Sequence, residues 1–392
     1  MTEVTISKRG AKRIRQGHLW VYRSDLESIG DEEPGAIASV FDAARNFVGR
    51  AFYSSQSEIA LRFLTTRDEP IDDPWWRRRV AQCAERRAPI AAGTNAYRLV
   101  YSEGDLLPSF IVDVYDDVFV LQALSQGADR AQDKFVELLV DEFKPRIISE
   151  RNDARVRELE GLELRRGVVW PADQRGSAGE EIEINQNGIR FVVAPLAGQK
   201  TGAFLDQREN YLAAAHYAHG RALDCFTFNG GFALHLAARC DSVLGLDLSS
   251  DAIAAAQRNA DLNQVRNVEF RVANVFDALR EMEAAGERFD TIVLDPPAFT
   301  KSRATIKSGA RGYKEINLRA LKLLNKGGVL ITCTCSYHMS EAMFLEILAE
   351  AAHDARQRLQ IIEKRGQSTD HPVLLGVPET HYLKCVIART VD

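Results

Sequence analysis

The second half of the chain sets the tightest limit on its fold. From about residue 195, apolar runs of strand length ("ALDCF", "VLGLDL", "VEFRV", "TIVLD", "GVLITCTC") alternate strictly with helical stretches such as "DAIAAAQRNADLN" and "GYKEINLRALKLLN". Strict alternation implies a parallel sheet with helices on both faces, and such sheets take ligands outside the carboxyl ends of their strands. Strands near 357–365 and 381–389 complete the sheet. The expected class is α/β with a Rossmann-like sheet, so the residues that close each apolar run are the ones to read for chemistry.

The first half has another rhythm. Residues 1 to about 72 alternate short apolar and polar runs broken by Gly and Pro ("VYRSDLESI", "AIASVFDA", "FVGRAFYS"), which predicts a small β-rich domain. "EPIDDPWW" marks a boundary, and residues 75–90 read as a basic linking helix. Between about 95 and 192, paired strands, the amphipathic "RAQDKFVELLVDEFK", a strand at "RIISER" and a hairpin at Asn187-Gly188 predict a mixed α+β domain. Asn-Gly supplies the positive φ angles of a tight primed turn. The expected domains are thus 1–72, 73–192 and 193–392, since 392 residues exceed one ordinary domain.

The formal net charge of -5 argues neither for nor against nucleic acid, but its distribution is uneven. Lys8, Arg9, Lys12, Arg13, Arg15 and Arg23 crowd the first 24 residues against a single acid, Glu3, and "WWRRR" (Trp75 to Arg79) adds a second basic cluster. A local cationic face suits phosphate contact, and solvated surface charge explains it equally well. The amino-terminal stretch is polar and basic, and no run approaches the roughly 18 apolar residues of a membrane span, so a cytoplasmic protein is expected. Six cysteines over this length fit reduced thiols rather than a disulfide framework.

Three strand ends carry candidate chemistry. The first reads "LDCFTFNGGF", with Asp224 near the turn and Gly230-Gly231 opening the next helix, where adjacent glycines allow close approach to a ligand or simply make a turn. No dinucleotide fingerprint or phosphate-binding loop is present. The second strand ends at Asp247, positioned either to accept ribose hydroxyls or to cap a helix beside Ser249 and Ser250. Glycine loop and acid together suggest an adenosyl cofactor. The fourth strand ends "LDPPAF", where Pro296 and Pro297 force an extended, stiff turn after Asp295.

The fifth run ends "TCTCSYH". Strand residues two apart are separated by about 6.6 Å, too far for a disulfide between Cys333 and Cys335. A structural zinc site wants four ligands in spaced pairs, and His338, His371 and His381 have no such spacing, so no metal is expected. Core filling accounts for Cys333. Cys335 closes the strand beside the one bearing Asp295, which puts a thiol and a carboxylate on one rim.

From "GQKTGAFLDQREN" through "LDCFTFNGGF", "LGLDLS", "LDPPAFTKS", "GYKEINLRAL", "TCTCSYHMS" and "DHPV" to "ETHYLK", the chain resembles the RlmI-type large-subunit rRNA (cytosine-5) methyltransferases. The resemblance runs over nearly the whole chain. It implies an N-terminal PUA RNA-binding domain, a middle α+β domain and a Rossmann-like, class I S-adenosylmethionine-dependent methyltransferase domain. The family motif, Thr-Cys-Ser or Ser-Cys-Ser, maps the nucleophile onto Cys335, while Cys333 falls where no thiol is required. Phe204 would line the cofactor pocket, with Lys200, Asp206, Gln207 and Arg208 near the methionyl end or the substrate. Asp224 and Gly230 would contact the methionyl portion, Asp247 the ribose and Asn274 the adenine, where many members carry an acid instead. Phe226, Gly231, Leu248, Val275 and Asp295 complete the implied cofactor set. Lys8, Arg9, Lys12, Arg13, Arg15 and Arg23, with His18, Trp20 and Tyr22, resemble a PUA surface that positions phosphates and stacks bases.

What the resemblance implies is formation of 5-methylcytosine in 23S rRNA, naked or within an assembly intermediate, with homodimerisation left open. The Cys335 thiolate would add to carbon 6 and Asp295 would hold the ring nitrogen or exocyclic amine. The base that takes the carbon-5 proton is unassigned. Two rivals stand beside this reading: guanine N-methylation, with Cys335 dispensable, and a non-catalytic RNA-binding assembly factor.

Overall fold

In the computed structural model, which describes residues 3–31, 33–175, 180–196, 202–300 and 302–391, the alternating half forms a seven-stranded sheet. Its strands are β1 (Arg221–Cys225), β2 (Ser242–Asp247), β3 (Val268–Val272), β4 (Phe289–Leu294), β5 (Leu324–Thr334), β6 (Arg358–Arg365) and β7 (Lys384–Val391). Helices α1 (Arg208–Tyr217), α2 (Gly231–Ala237), α3 (Ser250–Leu262), α4 (Val275–Ala284), α5 (Ile306–Leu323) and α6 (Glu341–Asp354) accompany them. The order across the sheet is β3-β2-β1-β4-β5-β7-β6. The chain therefore builds outward from β1 to β3, returns to β4 on the other side of β1, and builds outward again. The reversal between β1 and β4 opens the crevice in which doubly wound sheets bind ligands.

One strand departs from the parallel expectation. β7 runs antiparallel to both β5 and β6. Only a short 3-10 turn, Pro378–Thr380, lies between β6 and β7, and a return without a helical crossover is antiparallel.

Successive strand residues bury alternately on the two faces. Leu223, Cys225, Leu246, Ile292, Leu294 and Leu330 pack under α4, α5 and α6. Ala222, Val243, Val293, Val329, Ile331 and Cys333 pack under α1 and α2. Two buried faces explain why the strands read as continuous apolar runs.

The chain divides into two compact units, the second comprising Asn185–Val192, Asp206–Thr369 and His381–Asp392. The first contains a six-stranded sheet within residues 3–65 and a five-stranded sheet within residues 96–170. Its helices include Lys8–Arg15 and Asp73–Ala91. The basic "WWRRR" cluster lies in the second of these. Trp75 and Trp76 are buried, Arg79 covers the Trp75 ring, and Arg77 and Arg78 pair with Asp141 and Glu69. The expected hairpin turn is present, with φ of 57° at Asn187 and 86° at Gly188. Among the described residues no helix is long and apolar enough to cross a membrane.

Gly231 shows how tightly α1 and α2 meet. A β-carbon there would lie 2.6 Å from the Tyr211 hydroxyl, and that ring is held edge-on by Phe232 and stacked on His235. The glycine thus serves helix packing. Gly231→Ala should lower stability by about 1–3 kcal/mol through overpacking, read as a shifted midpoint in chemical denaturation.

Candidate cofactor and nucleophile site

The loop from β1 to α2 is wound against its preferences. Phe226 and Phe228 take φ of 65° and 50°, and Gly230 takes 89°. Left-handed backbone at a bulky residue is costly and persists only where neighbours enforce it. Here the Thr227 N–H donates to the Leu246 carbonyl at 2.9 Å and the Phe228 N–H to Asp247 Oδ2 at 3.0 Å. Asp247 Oδ1 accepts from the Ser249 N–H at 2.9 Å, while Ser249 caps α3. Asp247 is therefore a loop clamp at the tip of β2. Each carboxylate oxygen keeps a further lone pair, so this role leaves it able to accept hydroxyls. Leu248, next in sequence, is 71% exposed at the same tip.

Asp224 lies inside the loop, fully buried. Its Oδ2 accepts from Thr227 Oγ1 at 2.6 Å and from the Ala233 N–H at 3.0 Å, while its buried Oδ1 has no hydrogen-bond partner. Burial pushes its carboxyl up to about 7, with Asp295 and Asp247 adding to the rise against those two hydrogen bonds. An acceptor buried without a donor is one that a cationic ligand group can satisfy. Tyr211, also buried, is raised well above its ordinary value by burial, then by Asp295, Asp206 and Asp224. Carboxylates thus concentrate at the switch point. Among the described residues no group of three or more His, Cys, Asp or Glu is placed to hold a metal ion.

The remaining cofactor candidates fall in two groups. Asp206 and Gln207 form the turn into α1: Asp206 Oδ2 accepts from the Tyr382 hydroxyl at 2.6 Å, and Gln207 bonds Asn210 and the Cys333 thiol. The Arg208 carbonyl accepts from Asn187 at 2.8 Å, and its side chain is buried. Asn274, at the end of β3, caps α4 through the Phe276 N–H at 3.0 Å, and Val275 is buried behind it. Phe204 belongs to the first unit, and Lys200 lies outside the described residues.

On the rim of β4 and β5, Asp295 donates its N–H to the Cys225 carbonyl at 3.3 Å, and an extended segment through Pro296 and Pro297 leads to Phe299. Phe299 packs on Phe226, Phe276 and Tyr313. The Thr300 N–H donates to Ser336 Oγ at 3.2 Å, and Tyr313 OH joins Ser336 Oγ at 2.9 Å and Thr334 Oγ1 at 2.7 Å. The residues on both sides of Cys335 are therefore fixed by buried hydroxyls. Of the six cysteines, five are buried and only Cys335 is partly exposed. Burial pushes the Cys333 thiol well above its ordinary value.

The basic residues of the first unit sort differently. Lys8 and Lys12 stand exposed on helix Lys8–Arg15. Arg9 and Arg13 pair with Asp25, and Arg15 with Asp42. Arg23 holds the carbonyls of Ser54 and Ser57, His18 meets Glu379, and the Trp20 indole donates to Glu103. Most of this set is occupied within its own unit. Sequence reasoning assigned no role to Tyr211, Tyr313, Tyr382 and Lys384; the last three lie in the quoted "GYKEINLRAL" and "ETHYLK", but nothing in their spacing marks a function.

A reversing sheet with an antiparallel strand beside its edge and a carboxylate-lined switch point define a Rossmann-like methyltransferase of class I. A methyltransferase-domain family model matches residues 216–371 and a PUA-like-domain model residues 4–66. The fold superposes, at a TM-score of 0.85 and 18% identity over 99% of this chain and all of the other, on SMU.776, described as a methyltransferase complexed with SAH. Ribosomal RNA large subunit methyltransferase I of Pseudoalteromonas atlantica is 38% identical over 100% of both chains, and that of Photobacterium profundum 37% over 98% of both. The chain belongs to the ribosomal RNA large subunit methyltransferase I family.

The Asp224 carboxyl makes the stability of the fold depend on pH. Its folded value of about 7 lies above its ordinary 3.8, so the folded state holds a proton that the unfolded chain releases between them. Stability therefore falls as pH rises through that window. Asp224→Asn lacks this loss, so denaturant titrations from pH 4 to pH 7 should show the wild type losing stability relative to the variant.

Proposed function

We propose that this protein transfers a methyl group from S-adenosylmethionine to carbon 5 of a cytosine in large-subunit rRNA, with Cys335 as the covalent nucleophile. The observation that carries the reading is that Cys335, alone among six cysteines, is not buried, and that it closes β5 beside the strand ending at Asp295. The names of the full-length relatives supply the large-subunit rRNA substrate class.

The cofactor, when bound, supplies an electrophilic methyl group on a cationic sulfonium. The chain's residues fit it: the unpartnered Asp224 Oδ1 suits its ammonium and the Asp247 carboxylate its ribose hydroxyls, while Leu248 after β2 and Val275 at the start of α4 are the apolar residues that would meet its base. Carbon 5 of cytosine is too weak a nucleophile by itself. Addition of the Cys335 thiolate to carbon 6 moves the ring's π electrons onto carbon 5, and Asp295 holds the protonated ring nitrogen or the exocyclic amine as charge develops. Carbon 5 would then take the methyl group, its carbon–sulfur bond to the cofactor breaking to leave a neutral thioether, and loss of the carbon-5 proton from the methylated adduct re-forms the double bond and expels the thiolate. The target base must leave its stack to reach this rim, at a cost of a few kcal/mol. Lys8 and Lys12 are the exposed cations best placed on their helix for phosphate.

The test is methyl transfer from labelled S-adenosylmethionine to unmodified 23S rRNA, with the product nucleoside identified by mass spectrometry. Wild type and Cys333→Ala should yield 5-methylcytosine, and Cys335→Ala should lose at least about a thousandfold in rate. A methylguanine product, or full activity of Cys335→Ala, would overturn the reading in favour of amine methylation at Asp295. Replacing Lys8 and Lys12 by Ala should lower the salt slope of RNA binding by about one for each lysine that meets phosphate, measured by filter binding across a salt series.

A further inference from the structure

Lys384 opens β7 directly opposite Thr334 in the β5 ladder. Its side chain is only 5% exposed, and its ammonium donates to the carbonyl of Ser336 at 3.2 Å and to that of Tyr382 at 3.1 Å. Thr334 precedes Cys335 and Ser336 follows it. The lysine therefore holds the peptide that bears the thiol from both sides, as ladder partner of one neighbour and hydrogen-bond donor to the other. An ammonium has three donors, and two carbonyls use two of them without neutralising its charge. Among the described residues no carboxylate forms an ion pair with it. A buried charge in this state is costly unless an anion comes near, and between Thr334 and Ser336 the only side chain able to become one is Cys335.

We infer that Lys384 is a positioning residue that keeps Cys335 as a thiolate, both for addition to the pyrimidine and for its departure afterwards. The inference rests on the proposed nucleophilic role of Cys335. The thiol proton passes to solvent before the base arrives, and the sulfur lone pair forms the bond to carbon 6. The same pair returns to sulfur when the carbon-5 proton leaves. Lys384 keeps its three protons throughout, so it lowers the energy of the anion at both ends of the cycle without itself exchanging a proton.

The other charged and titratable groups around the thiol oppose this effect or are occupied. Asp295, at the tip of the adjoining β4, disfavours a second anion. Glu341, in the first turn of α6, is bonded by Lys364 at 2.5 Å. The Tyr313 phenol of α5 stays neutral, raised by burial and by Cys335, and His338 lies three residues further along the chain. Burial pushes the Lys384 ammonium below its ordinary value, with Cys335 and Glu341 acting in the opposite sense. Among the described residues, Lys384 is thus the cation that directly braces the segment bearing the thiol.

The experiment is the pH dependence of iodoacetamide alkylation of Cys335 in the full-length protein, followed by peptide mass spectrometry, which the five buried thiols do not obscure. The wild-type midpoint should fall at least about one pH unit below the roughly 8.5 of a free thiol. Lys384→Met should move it up by about one unit or more, and Lys384→Arg should hold it near wild type. A wild-type midpoint at or above about 8.5, or identical profiles for wild type and Lys384→Met, overturns the inference. The wild-type midpoint decides the matter even if Lys384→Met does not fold. Methyl transfer by the same proteins separates the two readings. If Cys335→Ala is inactive while Lys384→Met leaves the midpoint unmoved, only the pairing fails. If Cys335→Ala is fully active while the midpoint shifts, the pairing stands and the nucleophile reading fails.

Discussion

The two loops that carry Asp295 and Cys335 are tied together by a set of buried hydroxyls. The Ser336 N–H donates to Thr334 Oγ1, Thr334 donates to the Tyr313 phenol, and Ser336 Oγ receives both that phenol and the Thr300 N–H. Each link alone contributes about 1 kcal/mol, but together they fix a carboxylate and a thiol on neighbouring strand ends with little freedom to separate. Tyr313 is the pivot. It stands on α5, so the helix that covers one face of the sheet also sets the register of the two loops beyond its edge.

The electrostatics of the other side of the site follow from the same economy of placement. Asp224, Asp247 and Asp295 end three adjacent strands, β1, β2 and β4, and Asp224 is buried deeply enough to be pushed up to about 7. A crevice of this kind disfavours anions and welcomes a ligand that brings its own positive charge. It is the opposite of a phosphate cradle, where backbone N–H groups and a helix dipole face the ligand. The missing phosphate-binding loop in the sequence and the carboxylates in the structure are two views of one preference.

Much of this was legible in the residues. The apolar runs gave the sheet, the Asn187-Gly188 turn appeared with the φ angles it requires, and the strand-end acids Asp224, Asp247 and Asp295 met at the switch point. Two kinds of feature were not legible. One is the partner that an arginine or tryptophan finds far away in sequence: Arg23, Trp20 and the arginines of "WWRRR" look like a nucleic-acid surface until Ser54, Ser57, Glu103, Glu69 and Asp141 are seen beside them. The other is side-chain contact across strands that are neighbours only in space. Lys384 stands opposite Thr334 because β7 is inserted beside β5, and no periodicity of a single strand encodes that neighbour.

That insertion also sets an order of assembly. β6 pairs with β7 alone, and β7 lies between it and β5. A growing chain that has reached residue 365 therefore holds a strand with no partner in the sheet, and the edge of β5 stays open until the chain has passed residue 391. The loop that carries Cys335 is braced only then. Pairing between distant segments is the slow part of β-sheet formation, so the site is completed only after β7 has been made and has paired with β5. A partly made chain presents a thiol without the lysine that braces it.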